Sequence, residues 1–109
     1  MPLELLWSPT ALEHLQAIYE YILADNPAAA LDVHEAIERA AGLLQENPRL
    51  GHPGRVADTR ELVVPAYPTY IIVYELHGSR LHILAVMHGR QQWPDNFEER
   101  DPIHLSPAR

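Results

Sequence analysis

The fold is decided by the stretch Tyr70–Met87, which reads YIIVYELHGSRLHILAVM. Its first run, Tyr70–Tyr74, is rich in β-branched and aromatic residues, which favour strands. This run is apolar at odd and even positions alike, a pattern typical of a central strand that is covered on both faces. Residues 77–80 contain a glycine between two apolar runs and predict a hairpin turn, and Leu81–Met87 predicts the returning strand. We therefore expect an antiparallel hairpin in the middle of a sheet.

Two helices are predicted upstream of this hairpin. Ser8 and Asn26 are good N-cap residues, and each is followed by a proline at the first helical position, where the missing N–H costs nothing. The helices are expected to end near Ala24 and at Asn47. Apolar residues recur at helical spacing in both segments, namely Leu12, Leu15, Ile18, Tyr19 and Ile22 in the first and Val33, Ile37, Ala40 and Leu44 in the second. The break between the segments is short, which predicts an antiparallel helical hairpin.

The remaining segments complete the predicted order of elements. Residues 3–7 are expected to form a first strand, and residues 48–58, which hold several prolines and glycines, a loop. Residues 59–64 predict a strand that ends in a rigid turn at residues 65–68. The order β-α-α-β-β-β predicts an α+β fold with two layers, in which the helical hairpin packs on a mainly antiparallel sheet.

Length and composition exclude several classes of protein. The chain has 109 residues, of which 47% are hydrophobic and none is cysteine. This predicts one globular domain over residues 1–94 and a polar C-terminal tail over residues 95–109. Without cysteine, disulfide frameworks and thiolate metal sites are excluded. There is no signal-peptide pattern and no apolar stretch of membrane-spanning length, so we expect a cytoplasmic protein that does not enter membranes.

The charge is acidic and unevenly distributed. Fifteen Asp and Glu residues outweigh eight basic residues, all of them arginine, for a net charge of −7. The predicted helices and the break between them are expected to present a solvated acidic face, made of Glu13, Glu20, Asp25, Asp32, Glu35, Glu38 and Glu46. Such a chain is a poor general binder of polyanions, because phosphate attraction needs cations. We therefore expect no direct DNA binding by this chain alone.

Few residues in the sequence indicate a catalytic or ligand-binding site. There is no glycine-rich phosphate loop and no Gly-x-Ser-x-Gly nucleophile motif. The histidines are not spaced to share one ion along a helix or a strand, so neither a metal site nor a cofactor is predicted. The candidates combine cationic, proton-moving and aromatic side chains, namely Arg60, Tyr70, His88, Arg90 and Trp93. The alternatives are core packing for the aromatic residues and ion pairs of the arginines with Glu61, Glu75 or Asp95.

An ordered set of short motifs is shared with a known group of proteins. The motifs are Trp7-Ser8-Pro9-x-Ala11, Tyr21-Ile22, Asn26-Pro27-x-Ala29-Ala30, Pro48-x-x-Gly51, Thr59-Arg60-Glu61-Leu62, Tyr70-x-x-x-Tyr74 and His88-Gly89-Arg90-x-x-Trp93-Pro94. Through them, residues 3–94 resemble the toxins of the RelE/ParE superfamily, the toxic halves of bacterial type II toxin–antitoxin modules. The resemblance implies a helical hairpin on an antiparallel sheet and a cognate antitoxin protein as partner.

The resemblance implies one of two modes of toxicity. RelE-like members cleave mRNA in the ribosomal A site with cationic and proton-moving side chains, whereas ParE-like members inhibit DNA gyrase and lack that set. Arg90 and Arg60 lie at or near basic positions of the nucleases. Leu62 and Ile71 stand where the nucleases carry basic residues, and no residue clearly matches their C-terminal tyrosine. We therefore expect the ParE-like branch, with growth inhibition through gyrase, as in modules associated with plasmid stabilisation.

Under this hypothesis the target-binding residues are Arg60, His88, Arg90 and Trp93, and the protein is not an enzyme. The main alternative is a ribosome-dependent endoribonuclease, with the ribosome and mRNA as targets. In it, Arg60 and Arg90 would contact phosphate and His88 would transfer a proton. A non-toxic family member that only binds the antitoxin is a further alternative. In each case, the acidic helices predict basic residues on the antitoxin segment that covers them.

Overall fold

A computed structural model describes residues 3–89 of the chain. Its elements are β1 (Glu4–Trp7), α1 (Pro9–Leu23), α2 (Pro27–Glu46), β2 (His52–Pro53), β3 (Arg60–Val63), β4 (Tyr70–His77) and β5 (Arg80–His88). The predicted β-α-α-β-β-β order is confirmed, with β2 as an addition. Within the described residues, neither helix is long and apolar enough to cross a membrane. The predicted tail, residues 95–109, and the candidate residues Arg90 and Trp93 lie outside the described residues.

Both helices begin where the sequence predicts, because their capping side chains are in place. Ser8 Oγ accepts a hydrogen bond from the backbone N–H of Ala11 at 2.9 Å. Asn26 Oδ1 accepts one from the backbone N–H of Ala29 at 3.1 Å. The Ser8 hydroxyl also donates to the carbonyl of Leu84 on β5 at 3.1 Å, which ties the start of α1 to the sheet.

The strands form one sheet in the order β1-β5-β4-β3-β2. β1 runs parallel to β5, and the other neighbouring pairs are antiparallel. β4 has a neighbour on each side, and its residues Ile72 and Val73, which point to opposite faces, are both fully buried. The predictions of a mainly antiparallel sheet and of a central strand covered on both faces are therefore confirmed.

The core lies mainly between the two helices and one face of the sheet, which we call the helix face. Ile37 and Leu44 of α2 belong to the same buried cluster there as Ile72 of β4 and Ile83 of β5. We call the opposite side of the sheet the open face. It carries a smaller buried cluster, made of Val56, Val73, Ala85 and Met87. A large apolar side chain contributes roughly 1.5–3 kcal/mol when fully buried, so the helix face is the main source of stability.

Two local predictions are wrong. Leu12, predicted to belong to the buried stripe of α1, is 51% exposed, and the small side chain of Ala11 is buried in its place. The capping serine holds this first turn close to β5, where a small residue fits. The predicted loop at residues 48–58 also contains β2, in which His52 and Pro53 pair with β3. A two-residue edge strand that includes a proline has no recognisable pattern in the sequence.

Candidate functional site

The structure separates two of the residues that were candidates for a common site. Arg60 on β3 lies opposite Tyr74, and His88 on β5 lies opposite Tyr70. The two backbones are therefore roughly 13 Å apart along the strands and about 10 Å apart across them. Arg60 and His88 lie on different parts of the surface and do not converge.

Arg60 is bonded to the loop that precedes β2. Its Nη2 donates to the carbonyl of Arg49 at 3.2 Å and to the carbonyl of Gly51. The N–H of Gly51 in turn donates to the hydroxyl of Tyr74 at 3.0 Å. These bonds fix the loop against β3 and β4, so the guanidinium of Arg60 has a structural role.

His88 lies at the end of β5, where aromatic side chains gather. Its ring meets Tyr70 edge-on, with a centroid distance of 5.6 Å and ring planes 90° apart. Burial raises the pKa of the Tyr70 hydroxyl, and the neighbouring Tyr21 adds to the shift, so this hydroxyl stays neutral at physiological pH. Tyr21 is 82% exposed, which leaves this end of the molecule accessible to a large partner. Arg90 and Trp93 follow His88 in the sequence, outside the described residues.

Leu62 and Ile71, the two apolar residues at positions where the resemblance implies basic residues in nucleases, are part of the interior. Leu62 is 8% exposed and Ile71 is 9% exposed. Leu62 pairs with Ile72, the next residue along β4, so the side chains of Leu62 and Ile71 point to opposite faces. These two positions therefore contribute to packing and present no common surface to a ligand.

The open face is not cationic over residues 3–89. Glu61 is 3% exposed, and its carboxylate accepts hydrogen bonds from Arg55, at 2.9 Å from the backbone nitrogen and 3.2 Å from Nε. At the hairpin end of this face, Arg80 Nε lies 3.2 Å from Glu4 Oε1. Glu75 adds a further buried carboxylate. Both guanidinium groups are thus matched by carboxylates, and phosphate has no cluster of free cations to bind on this part of the face.

The outer surface of the helices is acidic and contains an apolar groove. All the acidic residues predicted to be solvated there are exposed. The groove has a volume of about 200 Å³ and is lined by Ala36, Arg39, Ala40, Leu43, Pro65 and Ala66. Pro65 and Ala66 form the wall opposite α2, in the turn at residues 65–68. The Tyr67 hydroxyl holds this turn by donating a hydrogen bond to the Asp32 carboxylate. This hydrogen bond raises the pKa of Tyr67. The contact holds the turn with Pro65 and Ala66 against α2, which carries Asp32.

Three possible metal ligands converge on the open face, although the spacing of the histidines along the chain predicts no metal site. Glu75, His77 and His82 offer ligand atoms that all lie within 4.8 Å of one another. The spacing of histidines along the chain does not reveal this group, because His82 lies on β5 whereas Glu75 and His77 lie on β4. The signal that could have revealed it is the short turn at residues 78–79, which places Glu75 opposite His82.

The chain and its fold match known proteins. A family model described as the ParE toxin of the type II toxin–antitoxin system parDE matches residues 5–93. "Putative toxin Y4kP" of Sinorhizobium fredii is 46% identical over 88 residues, which cover 81% of this chain and 90% of that protein. "Toxin RelE2" of Caulobacter vibrioides is 35% identical over 86 residues, which cover 79% and 94%. A solved chain described as "Chromosomal ParDE TA system from P. aeruginosa" superimposes with a TM-score of 0.72 at 25% identity, covering 79% of this chain and 95% of that one.

Proposed function

The chain belongs to the family of ParE toxins of type II toxin–antitoxin systems, and from this premise we propose that it inhibits bacterial growth by binding DNA gyrase. A cognate antitoxin that neutralises it is part of the same proposal. A fold shared by two kinds of toxin does not settle the target, so the choice between gyrase and mRNA has to come from the site itself.

The charge of the open face is the observation that supports gyrase. Cleavage of a message needs cationic groups aimed at the charge that develops in the transition state, each worth about 10²–10³ in rate. Over residues 3–89, the open-face residues Arg55 and Arg80 are matched by carboxylates. Arg60 pairs with Tyr74, a residue of the helix-face core, and is bonded to loop carbonyls. A protein target makes no such demand, since interfaces between proteins depend on shape and on a few buried anchors.

We assign target binding to the end of β5. His88 packs there edge-on against Tyr70, whose neighbour Tyr21 is exposed, and Arg90 and Trp93 follow directly in the sequence. Arginine, tryptophan and tyrosine are the residues that most often supply the binding energy of protein interfaces. Arg60 lies on another part of the sheet and is expected to act only through the stability of the fold.

Purified toxin is expected to inhibit the supercoiling activity of gyrase at micromolar concentration. Arg90→Ala should raise the concentration needed for half-inhibition about 30-fold, because truncation of a central anchor costs about 2 kcal/mol or more. Arg80→Ala is the matched control, since Arg80 lies at the opposite end of β5 and pairs with Glu4. This control should inhibit gyrase as well as the unaltered toxin does.

Other outcomes of this experiment identify the alternatives. Supercoiling that proceeds normally at micromolar toxin would refute the gyrase proposal. Codon-positioned cuts in mRNA in a translating extract, lost in Arg90→Ala, would identify a ribosome-dependent nuclease. Induced expression without any growth defect would identify a non-toxic, antitoxin-binding protein.

We assign the apolar groove on α2 to a segment of the antitoxin. Its wall residue Leu43 is 48% exposed, and the exposed carboxylate of Glu35 lies one helical turn from Arg39, another wall residue. An amphipathic helix laid in such a groove contributes apolar side chains at helical spacing. Basic residues at the edges of that helix would complement the acidic surface.

Association between toxin and antitoxin is expected to slow as the salt concentration rises. Attraction between oppositely charged surfaces speeds diffusional encounter and is screened by salt, so the association rate should fall about tenfold or more between low and high ionic strength. Stopped-flow mixing measures this rate. Glu35→Gln should weaken the salt dependence, whereas Glu4→Gln, an exposed carboxylate at the other side of the molecule, should leave it unchanged. A rate that does not respond to salt would show that this charge complementarity is absent.

A further inference from the structure

The hairpin of β4 and β5 brings three metal-binding side chains to one place on the open face. Glu75 and His77 are two residues apart on β4, so they share a face. His82 on β5 is the register partner of Glu75. Residues directly opposite each other on one face have Cβ atoms about 5 Å apart. The pairing of the backbones therefore fixes the convergence of these side chains.

The distances between their ligand atoms are close to those of a metal site. His77 Nε2 lies 3.0 Å from Glu75 Oε2, and the centroids of the His77 and His82 rings are 5.2 Å apart. A zinc ion with tetrahedral bonds of 2.0–2.1 Å separates neighbouring ligand atoms by about 3.4 Å. The ligand atoms here lie within 4.8 Å of one another, so they need to move together by little more than an ångström.

Burial divides the group into a fixed part and an adjustable part. Glu75 is 2% exposed and His82 is 4% exposed, so the protein interior holds both in place. The His77 side chain is 48% exposed and can rotate to close the site. A depression of about 460 Å³ opens beside it to solvent and is lined by His77, Gly78, Ser79, Arg80 and His82. The depression therefore gives an ion access from solvent to His77 and His82.

The charges in this region favour a cation. Glu75 is 2% exposed, and a carboxylate held away from water is stabilised by a positive group placed beside it. Arg80, which lines the depression, lies 3.2 Å from Glu4, and that carboxylate offsets its charge. An incoming cation thus meets one buried carboxylate and two imidazoles.

We propose that Glu75, His77 and His82 bind one divalent transition-metal ion, with Zn²⁺ as the best match. Two imidazoles and one carboxylate are a donor set that zinc uses, and it leaves a fourth position for water or for a ligand from a partner. Imidazole ligands also select against Mg²⁺ and Ca²⁺, which prefer oxygen. The ion would cross-link side chains at the C-terminal end of β4 to one near the N-terminal end of β5. The site is separate from the surfaces assigned to gyrase and antitoxin, so its test does not depend on either.

Titration of the full-length, tag-free protein with Zn²⁺, after removal of metal with a chelator, tests this proposal. Calorimetry is expected to give one ion per chain with micromolar or tighter affinity, and Co²⁺ should produce the absorption bands of a tetrahedral site. Zn²⁺ should also raise the midpoint of thermal unfolding. Binding of less than one equivalent at micromolar protein would overturn the proposal, because the group would then be only a hydrogen-bonded cluster.

Two variants and one control separate this site from other histidines. Loss of a direct ligand in His77→Ala should weaken Zn²⁺ binding by about 100-fold or more, since loss of an outer partner of a ligand already costs roughly 10–100-fold. Glu75→Gln should also weaken binding while keeping the size of the side chain. His52→Ala, at another exposed histidine, should bind Zn²⁺ normally. Circular dichroism confirms that the variants are folded. Unchanged affinity in His77→Ala would place the ion elsewhere and overturn the proposal.

Discussion

Replacement of Ile37 by aspartate is expected to unfold the protein. Ile37 is fully buried on α2 and belongs to the core cluster between the helices and the sheet. The substitution removes roughly 1.5–3 kcal/mol of apolar burial. It also places an unpaired carboxylate in the core, at an effective cost of several kcal/mol. Since the whole domain is stabilised by about 5–15 kcal/mol, these losses remove most of its stability. Thermal unfolding followed by circular dichroism should show no cooperative transition.

Leu31→Asp is the matched control for this prediction. Leu31 lies on the same helix but is 51% exposed, so the same chemical change should alter the free energy of unfolding by only about 0.5 kcal/mol. Leu15→Asp, at a buried position of α1, should behave like Ile37→Asp. A melting temperature of Ile37→Asp within a few degrees of the unaltered protein would contradict the assigned core.

Gly51→Ala adds a single methyl group, yet it is expected to destabilise the protein strongly. A Cβ atom at Gly51 would lie 2.6 Å from the carbonyl oxygen of Glu61 and 2.7 Å from the hydroxyl of Tyr74. That hydroxyl accepts a hydrogen bond from the Gly51 N–H and donates one to the Pro48 carbonyl at 2.7 Å. The loop must therefore move away from β3 and β4. Overpacking of this kind costs about 1–3 kcal/mol, and the loss of these hydrogen bonds adds to it.

Gly42→Ala provides the opposite result in the same chain. Gly42 lies within α2, and a Cβ atom there has no neighbour within 4 Å. Alanine is favoured over glycine inside a helix by roughly 0.5–1 kcal/mol, so this variant should be more stable than the unaltered protein. Urea unfolding of both variants measures the two changes. Equal effects of the two substitutions would show that the loop at Gly51 is not packed as described.

Local patterns in the sequence determined most of the fold. The two helix starts, the central hairpin and the order of the elements all depend on residues that are neighbours in the chain, such as Ser8 with Ala11 or residues 70–87. Capping, helical spacing and β-branched runs act over a few residues, so they can be recognised without knowledge of the fold. The exposure of Leu12 and the short strand at His52–Pro53 could not be recognised in this way. Both depend on which distant strand lies beside the segment in the folded protein.

Which side chains come together in a site depended on the tertiary structure more than the order of helices and strands did. Residue types alone suggested that Arg60 and His88 act together, but the register of β3, β4 and β5 holds them apart. The same register joins Glu75 to His82, which no spacing along the chain indicates. Residue types determined which chemistry this chain can offer. Only the pairing of strands decided which side chains share a face, because a shift of one residue in register moves every side chain to the other side of the sheet.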